Sequence, residues 1–278
     1  MSHPGQRGRA RRRAILAVVR KDVTVALSSK AVLIPFIVVP ALFMVVLPLG
    51  IALLAPLAEA ETTQLAEEFA TFSPTLLDSL TGLGPAEQVV VLGIVYMLAP
   101  MFLVVPLMVA SVLAADSFAG EKERRTLEAL VYSPISDRDL VLAKMLSAWL
   151  PAVAIGVAAF LAYVTTANAA AWPVMGRLFM PTVMWLVLVT WVMPAAAALG
   201  LGASVIVSSR VNTFQEAYQV GGVVVLPIVA LMIAQATGLI YFSVWMVVLL
   251  GLALWLASAG LLWLGARYLR RTELIARL

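Results

Sequence analysis

The chain has 278 residues, of which 63% are hydrophobic and 12% are charged, with a net charge of +4 and no cysteine. A typical soluble domain has about 45–50% apolar residues and about 25% charged residues, so this composition excludes an ordinary water-soluble protein. The absence of cysteine excludes disulfides and thiolate metal sites. The excess of apolar residues requires a lipid environment.

The first 30 residues form a basic arm with an amphipathic pattern. Apolar residues recur there at helical spacing: Ile15, Leu16, Val19, Val23, Ala26 and Leu27. Such a pattern predicts a helix lying on the inner membrane surface, where basic side chains attract anionic lipid. Binding of nucleic acid is the weaker interpretation, because the apolar stripe leads directly into the first apolar run.

Residues 31–278 are predicted to form one transmembrane domain of all-α architecture. Crossing a hydrocarbon layer about 30 Å thick takes roughly 20 apolar residues in a helix. Six runs meet that length, at about 31–55, 89–115, 145–167, 178–207, 217–239 and 242–266. The fourth run carries small residues at every fourth position, which predicts a face for close helix packing: Ala196, Gly200, Ser204 and Ser208.

The distribution of basic residues orients these spans. Placing both termini in the cytoplasm puts all of the 19 Lys and Arg residues on the inner side except Arg177. The segment 56–88 between the first two spans has acidic residues but no Lys or Arg, and it is predicted to form a small outer cap. We therefore expect a multi-pass protein of the plasma (inner) membrane.

The longest inner loop runs from Asp116 to Lys144 and alternates acidic and basic residues. Its residues from Glu121 to Tyr132 favour a helix, which Ser133 and Pro134 would end. Ser136, with Asp139 three residues later, resembles a capping box and predicts the start of the helix that becomes span three. A short helix held between two spans could dock on a soluble partner, or it could be a solvated charged face. The residues alone do not decide between these two interpretations.

The string Phe-Ala-Gly-Glu-Lys-Glu-Arg-Arg-Thr-Leu-Glu at 118–128, followed by Ser-Pro-Ile-Ser at 133–136 and by Lys144, resembles the permease subunits of ABC exporters of the second type (ABC-2). The nearest group is similar to the sodium-extrusion and multidrug permeases. Arg125 stands where that pattern commonly has glycine, and the outer segment is shorter than in the sodium-extrusion type.

This resemblance implies a coupling helix between spans two and three that contacts a separate ABC ATPase subunit. The residues expected at that contact are Glu121, Glu123, Arg124, Thr126 and Glu128. It also implies a second permease copy, as a homodimer or a heterodimer, and export driven by ATP and magnesium on the partner ATPase. No cofactor, metal or nucleic acid is expected on this chain itself.

The chain has no nucleotide-binding motif of its own, because no Lys is followed by Ser or Thr. It is therefore expected to be a transport subunit and not an enzyme.

The alternative is an ion-coupled secondary transporter, which would place ionisable residues inside the spans. The six runs contain none, and their polar candidates are weak: Ser111, Thr165, Thr166, Asn168 and Gln235. An uncharged path favours a lipid-like or drug-like amphipathic cargo over a hydrated ion, and the substrate-binding residues are not identified by the sequence.

Overall fold

A computed structural model describes residues 4–28, 30–57, 80–124, 137–211, 213–236 and 243–268. These residues form helices and their connections, with no strand among them, which confirms the all-α prediction. Six of the helices are long and apolar enough to cross a membrane, at Leu33–Leu57, Pro85–Glu123, Asp139–Met175, Val183–Ser208, Phe214–Gln235 and Val244–Gly265. The six predicted spans are therefore confirmed.

Several spans change helix type along their length. The arm helix is Pro4–Ser28, and span one consists of Lys30–Ala41, a π-helical Leu42–Val46, Leu47–Leu54 and a 3₁₀ turn at Ala55–Leu57. Span two consists of Pro85–Val90, a π-helical Val91–Met97, Leu98–Phe102, Val104–Ala115, a second π-helical segment at Asp116–Gly120, and Glu121–Glu123. Span three is Asp137–Met175, and span four is Val183–Val187, a π-helical Leu188–Val192 and Met193–Ser208. Span five is Phe214–Gly221, a 3₁₀ segment at Gly222–Val225 and Leu226–Ala236, and span six is Val244–Tyr268.

Spans two and three are longer than the apolar runs that predicted them. The loop was expected to begin at Asp116, but helix continues to Glu123. In span three, described helix from Asp137 agrees with the start that Ser136 and Asp139 predict, ahead of the apolar run at 145. An apolar run marks only the part of a helix that can lie in the hydrocarbon layer of the membrane. The helix can continue beyond that part where its charged side chains form ion pairs or hydrogen bonds. Of the predicted 121–132 helix, residues 125–132 lie outside the described residues, as do most of the outer cap and residues 237–242 between spans five and six.

Local capping explains where several spans begin. Pro85 occupies the first helical position of span two, and the carboxylate of Glu87 accepts a 2.7 Å hydrogen bond from the Gly84 amide. The hydroxyls of Thr182 and Thr213 each accept a bond from the amide three residues later, which caps spans four and five. Span four therefore begins at residue 183, slightly later than the apolar run at 178.

Spans two and four form the centre of the bundle. About 61% of the most apolar window of each is buried, against 17% for spans five and six. Three successive carbonyls of the first π-helical segment of span two accept hydrogen bonds from side chains of spans three, four and five: Ile94 from Tyr163, Val95 from Trp185, and Tyr96 from Gln235. Since a buried polar group needs a partner, these bonds fix the relative positions of four spans.

The small-residue face of span four packs as predicted. All four of its small residues are buried, and a Cβ atom added to Gly200 would lie 2.5 Å from the carbonyl oxygen of Leu107 on span two. The Ser204 hydroxyl donates a 2.9 Å bond to the Ser111 carbonyl on the same span. Small residues let the two backbones approach closely enough for such a bond.

The connection between spans three and four is held by Asn168. Gly176 ends span three at φ 59, a backbone conformation that favours glycine. The chain then folds back so that the Asn168 amide accepts bonds from the backbone amides of Phe179 and Met180 and donates to the carbonyls of Val164 and Met180. This weak polar candidate thus has a structural role, because all of its bonds are to backbone.

Candidate functional site

Buried charged residues from three helices meet at the end of the bundle that carries the arm helix. Glu121, in the last turn of span two, is 3% exposed, and Lys144 near the start of span three is equally buried. The two carboxylate oxygens of Glu121 contact different lysines. Oε2 lies 2.5 Å from Nζ of Lys144, and Oε1 lies 2.5 Å from Nζ of Lys21 on the arm helix. One carboxylate therefore joins the arm to both spans.

Asp22 adds a second set of bonds beside this carboxylate. Its Oδ2 atom accepts hydrogen bonds from the hydroxyls of Ser117 on span two, at 3.1 Å, and Ser147 on span three, at 3.3 Å. Its Oδ1 atom lies 3.2 Å from Nζ of Lys21. We call the six residues involved the charged junction: Lys21, Asp22, Ser117, Glu121, Lys144 and Ser147.

The charges of the junction balance, since two carboxylates face two ammonium groups. Lys144 also donates a 2.7 Å bond to the Ser117 carbonyl, and its Nζ lies 5.4 Å from the centre of the Phe118 ring. Buried ions are tolerated when their partners and hydrogen bonds compensate for lost hydration. Balanced pairing therefore explains how a mostly apolar bundle can bury three charged groups at this end, Asp22, Glu121 and Lys144, with the half-exposed Lys21 beside them.

Partial burial alone would lower the pKa of Lys21. The hydrogen bond and ion pair with Glu121, together with the attraction of Asp22, outweigh that effect and raise the pKa above its ordinary value of 10.5. Lys21 thus stays protonated at neutral pH, where it can hold the arm helix against Glu121.

The four residues that end the described part of span two contact different parts of the molecule. Beyond the bonds of Glu121, Nζ of Lys122 donates a 3.1 Å bond to the carbonyl of Val211, in the connection between spans four and five. Oε2 of Glu123 accepts a 2.9 Å bond from the Phe214 amide, at the first residue of span five. A displacement of residues 121–123 would therefore act on the arm helix and on spans three and five together.

Arg124 instead binds back to its own helix. Its Nη1 lies 3.0 Å from Oδ1 of Asp116 in the second π-helical segment, and Nη2 also contacts the Asp116 carbonyl at 3.4 Å. A Cβ atom added to Gly120 would lie 2.8 Å from that same carboxylate. Glycine at this position therefore leaves room for the Asp116–Arg124 pair.

The expected ATPase contact is partly within the described residues. Glu121, Glu123 and Arg124 lie together at the end of span two, whereas Thr126 and Glu128 lie outside the described residues. The structure gives Glu121 internal partners, which was not expected for a residue on a docking face. Its partner Lys144 was identified only as part of a sequence pattern, and the pairing with Lys21 and the role of Asp22 were missed. The sequence signal that could have identified Lys21, Asp22 and Lys144 is the presence of a charged residue at the edge of an apolar segment.

Comparison with known proteins supports the same class. The family model described as "ABC-2 family transporter protein" matches residues 16–238, which include the second half of the arm helix, the first five spans and the whole junction. No curated protein and no solved structure matches the chain. The match does not extend to a subgroup, so the similarity to sodium-extrusion permeases stays a prediction. The chain belongs to the ABC-2 transporter family, as the multi-pass membrane permease subunit of an ABC transporter.

Proposed function

We propose that this permease exports an amphipathic, lipid-like or drug-like substrate, and that the charged junction transmits the movement of a separate ATPase subunit to the spans. The observation that carries the proposal is the position of Glu121, which binds the arm helix and span three within the last turn of span two. The segment expected to contact the ATPase begins at Glu121 itself and continues beyond the described end of span two. A force applied there would reach the arm helix and span three through the junction, and span five through Glu123.

The proposed assembly contains two permease copies and two ATPase subunits, with both permease termini in the cytoplasm of a cell whose plasma membrane holds the complex. ATP binding would favour one of two permease states because the closed ATPase pair has a different affinity for each state. The permease needs no nucleotide site for this role, in agreement with the absence of a nucleotide-binding motif in its sequence.

Two kinds of variant separate docking from transmission. In the first, Glu128→Lys reverses a charge at the expected ATPase contact, and it should weaken ATPase binding without lowering the melting temperature of the permease. In the second, Lys144→Met removes a buried junction charge, and it should leave ATPase binding intact while reducing stimulation of ATP hydrolysis by the permease. Arg177→Gln, in an exposed connection far along the chain from the junction, is the control for both.

The experiment reconstitutes the permease in liposomes with a candidate ABC ATPase subunit from the same organism, and measures binding, ATP hydrolysis and substrate export. Binding of the ATPase that is unaffected by Glu128→Lys and by reversal of Glu123 would contradict the proposed docking segment. Full coupling in the Lys144→Met variant would contradict transmission through the junction. Uptake driven by a proton or sodium gradient without ATP would support a secondary transporter instead.

A further inference from the structure

The second π-helical segment of span two directly precedes Glu121. It runs from Asp116 to Gly120, and α-helical bonding resumes at once after it, since the amide of Arg124 donates a 3.0 Å bond to the carbonyl of Gly120. π-Helical turns are rare, occur mostly as single turns within α-helices, and are frequent at functional sites. One such turn thus separates the membrane-spanning part of span two from residues 121–124.

The π turn sets the direction in which the residues after it point. Its hydrogen bonds run to the fifth residue along the chain and not to the fourth, so it holds one residue more than an α turn. One residue of α-helix corresponds to a rotation of about 100° and a rise of about 1.5 Å. Conversion of the π turn to α-helix would therefore rotate residues 121–124 by about 100° and shift them by about 1.5 Å along the helix axis.

The ion pair between Asp116 and Arg124 fits the π form of the helix. Residues eight apart in a continuous α-helix are about 80° out of line, whereas the extra residue of one π turn reduces the difference to about 20°. Nη1 of Arg124 consequently reaches Oδ1 of Asp116 at 3.0 Å. A Cβ atom added to Gly120 would lie 2.8 Å from that oxygen and 3.2 Å from both terminal nitrogens of Arg124. The pair therefore stabilises the π turn, and a side chain at residue 120 would oppose it.

An α form of the segment would change the partners of the residues that follow. Each residue would take the place that its successor holds in the structure. Gly120 would then replace Glu121 in the junction, and the two lysines that Glu121 binds would lose its carboxylate. Lys122 would replace Glu123 beside the amide of Phe214 and would bring an ammonium group to a hydrogen-bond donor. The arm helix and spans three and five would thus lose these bonds to the end of span two together.

We propose that the segment from Asp116 to Gly120 is a rotational switch. In its π form the junction is closed, and in its α form residues 121–124 are turned by about 100° and released from the arm helix and from spans three and five. The inference rests on the proposed function for its source of energy, because an ATPase that binds the α form more tightly would drive the conversion. The two helix forms themselves can be measured on the permease alone.

Deletion of Ala119 distinguishes a switch from a static irregularity. It removes the extra residue, so the segment becomes continuous α-helix while residues 121–124 keep their places and partners. Asp116 and Arg124 are then seven residues apart, which leaves them within about 20° of each other in an α-helix. The variant should keep the wild-type melting temperature and bind the ATPase. Because its helix has no extra residue to release, its stimulation of ATP hydrolysis should be lost.

The matched control is deletion of Ala158 from span three. The helix of this span is continuous from Asp137 to Met175, so the deletion turns its two parts about 100° out of register. The control should therefore have a much lower melting temperature than wild type. A loss of stability as large in the Ala119 deletion would show that span two holds no surplus residue, and it would overturn the proposal.

Spin labels measure the rotation itself, and the absence of cysteine from the chain makes their attachment specific. One label is attached at Lys122→Cys, outside the residues expected at the ATPase contact, and the other at Leu142→Cys, where the side chain of span three is 46% exposed. A rotation of about 100° moves a side chain on a helix 10–12 Å across by roughly 8 Å. Electron paramagnetic resonance should therefore resolve the two forms as two distances between the labels.

Gly120→Ala tests the two forms without the ATPase. The added Cβ opposes the pair of Asp116 and Arg124, so the labelled permease alone should populate the second distance. Gly50→Ala, whose added carbon has open space around it, should give the wild-type distance. When the ATPase and ATP are added, the second distance should increase in the protein without these substitutions and stay absent from the Ala119 deletion.

Two results would overturn the switch. These are a wild-type distance in Gly120→Ala, and wild-type stimulation of ATP hydrolysis by the Ala119 deletion. Stimulation of the ATPase by a permease whose label distance never changes would likewise overturn the switch, but it would leave the proposed function standing. A second distance in Gly120→Ala, together with a permease that has no effect on the ATPase, would support the switch and contradict the proposed function.

Discussion

The Nζ atom of Lys144 lies 2.5 Å from Oε2 of Glu121, which binds the start of span three to the last turn of span two. Both side chains are almost completely buried, and the second oxygen of the same carboxylate binds Lys21 of the arm helix. A single acidic residue thus links three helices at the first position of the segment expected to contact the ATPase.

Lys144→Met should destabilise the permease by about 3 kcal/mol, because removing one partner of a buried ion pair leaves the other charge uncompensated. The measurement is the free energy of unfolding in detergent. The double variant Glu121→Gln with Lys144→Met should recover part of the loss, since the unpaired charge is then also removed. Stability of Lys144→Met within about 0.5 kcal/mol of wild type would show that the pair does not hold the two spans together.

Glu123→Ala should expose the first amide of span five to solvent. Oε2 of Glu123 accepts the hydrogen bond of the Phe214 amide, so its removal should speed hydrogen exchange at Phe214 by about fivefold, the effect of one lost bond. Glu87→Ala is the matched control, because Glu87 accepts the Gly84 amide before span two in the same way. The link between Glu123 and span five would be contradicted if exchange at Phe214 became faster in Glu87→Ala, or if it did not become faster in Glu123→Ala.

Gly200→Ala should loosen the contact between spans two and four. The added Cβ would lie 2.5 Å from the Leu107 carbonyl oxygen, and relief of such a clash by backbone shifts costs about 1–3 kcal/mol. Gly50→Ala in span one has open space around the added carbon and should be neutral or slightly stabilising. The measurement is the melting temperature of each variant. Equal melting temperatures for Gly200→Ala and Gly50→Ala would contradict the close approach of spans two and four.

Asn168→Ala should destabilise the connection between spans three and four by about 2 kcal/mol, because two backbone amides and two carbonyls lose their partner. Thr165→Ala, one turn earlier on the same helix, removes a hydroxyl that bonds only its own helix and should have little effect. The measurement is the rate of proteolysis within residues 176–182. A rate unchanged in Asn168→Ala would show that the fold-back is held by other contacts.

The arm helix should stay attached across the physiological pH range. The pKa of Lys21 is raised in the folded protein, so its stabilising contribution is present below the ordinary value of 10.5 and is lost only as pH rises through the folded value. Spin labels on the arm helix and on span three should keep a constant separation up to that pH and separate above it. Separation near neutral pH in wild type would contradict Lys21 as the attachment, whereas Lys21→Met should weaken the attachment at every pH.

Much of the fold follows from hydropathy alone. Six apolar runs predict six spans because a helix is the structure that satisfies backbone groups in lipid, and about 20 residues span the hydrocarbon. The fourth-residue repeat of small side chains, including Gly200 and Ser204, likewise predicts a packing face, since helical periodicity is readable in one dimension. The end of span two could not be predicted in this way, because Asp116 and Glu121 are polar and appear as a loop, whereas the start of span three was indicated by the capping pattern at Ser136.

The sequence by itself determined that the chain is an integral membrane protein, how many times it crosses the membrane, and which charged segment carries the family pattern. Only the tertiary structure decided that Glu121 is buried between Lys21 and Lys144. Lys21 and Glu121 are 100 residues apart in the chain. A pairing across that separation depends on how helices pack against one another, whereas local residue patterns report only the face that each helix buries.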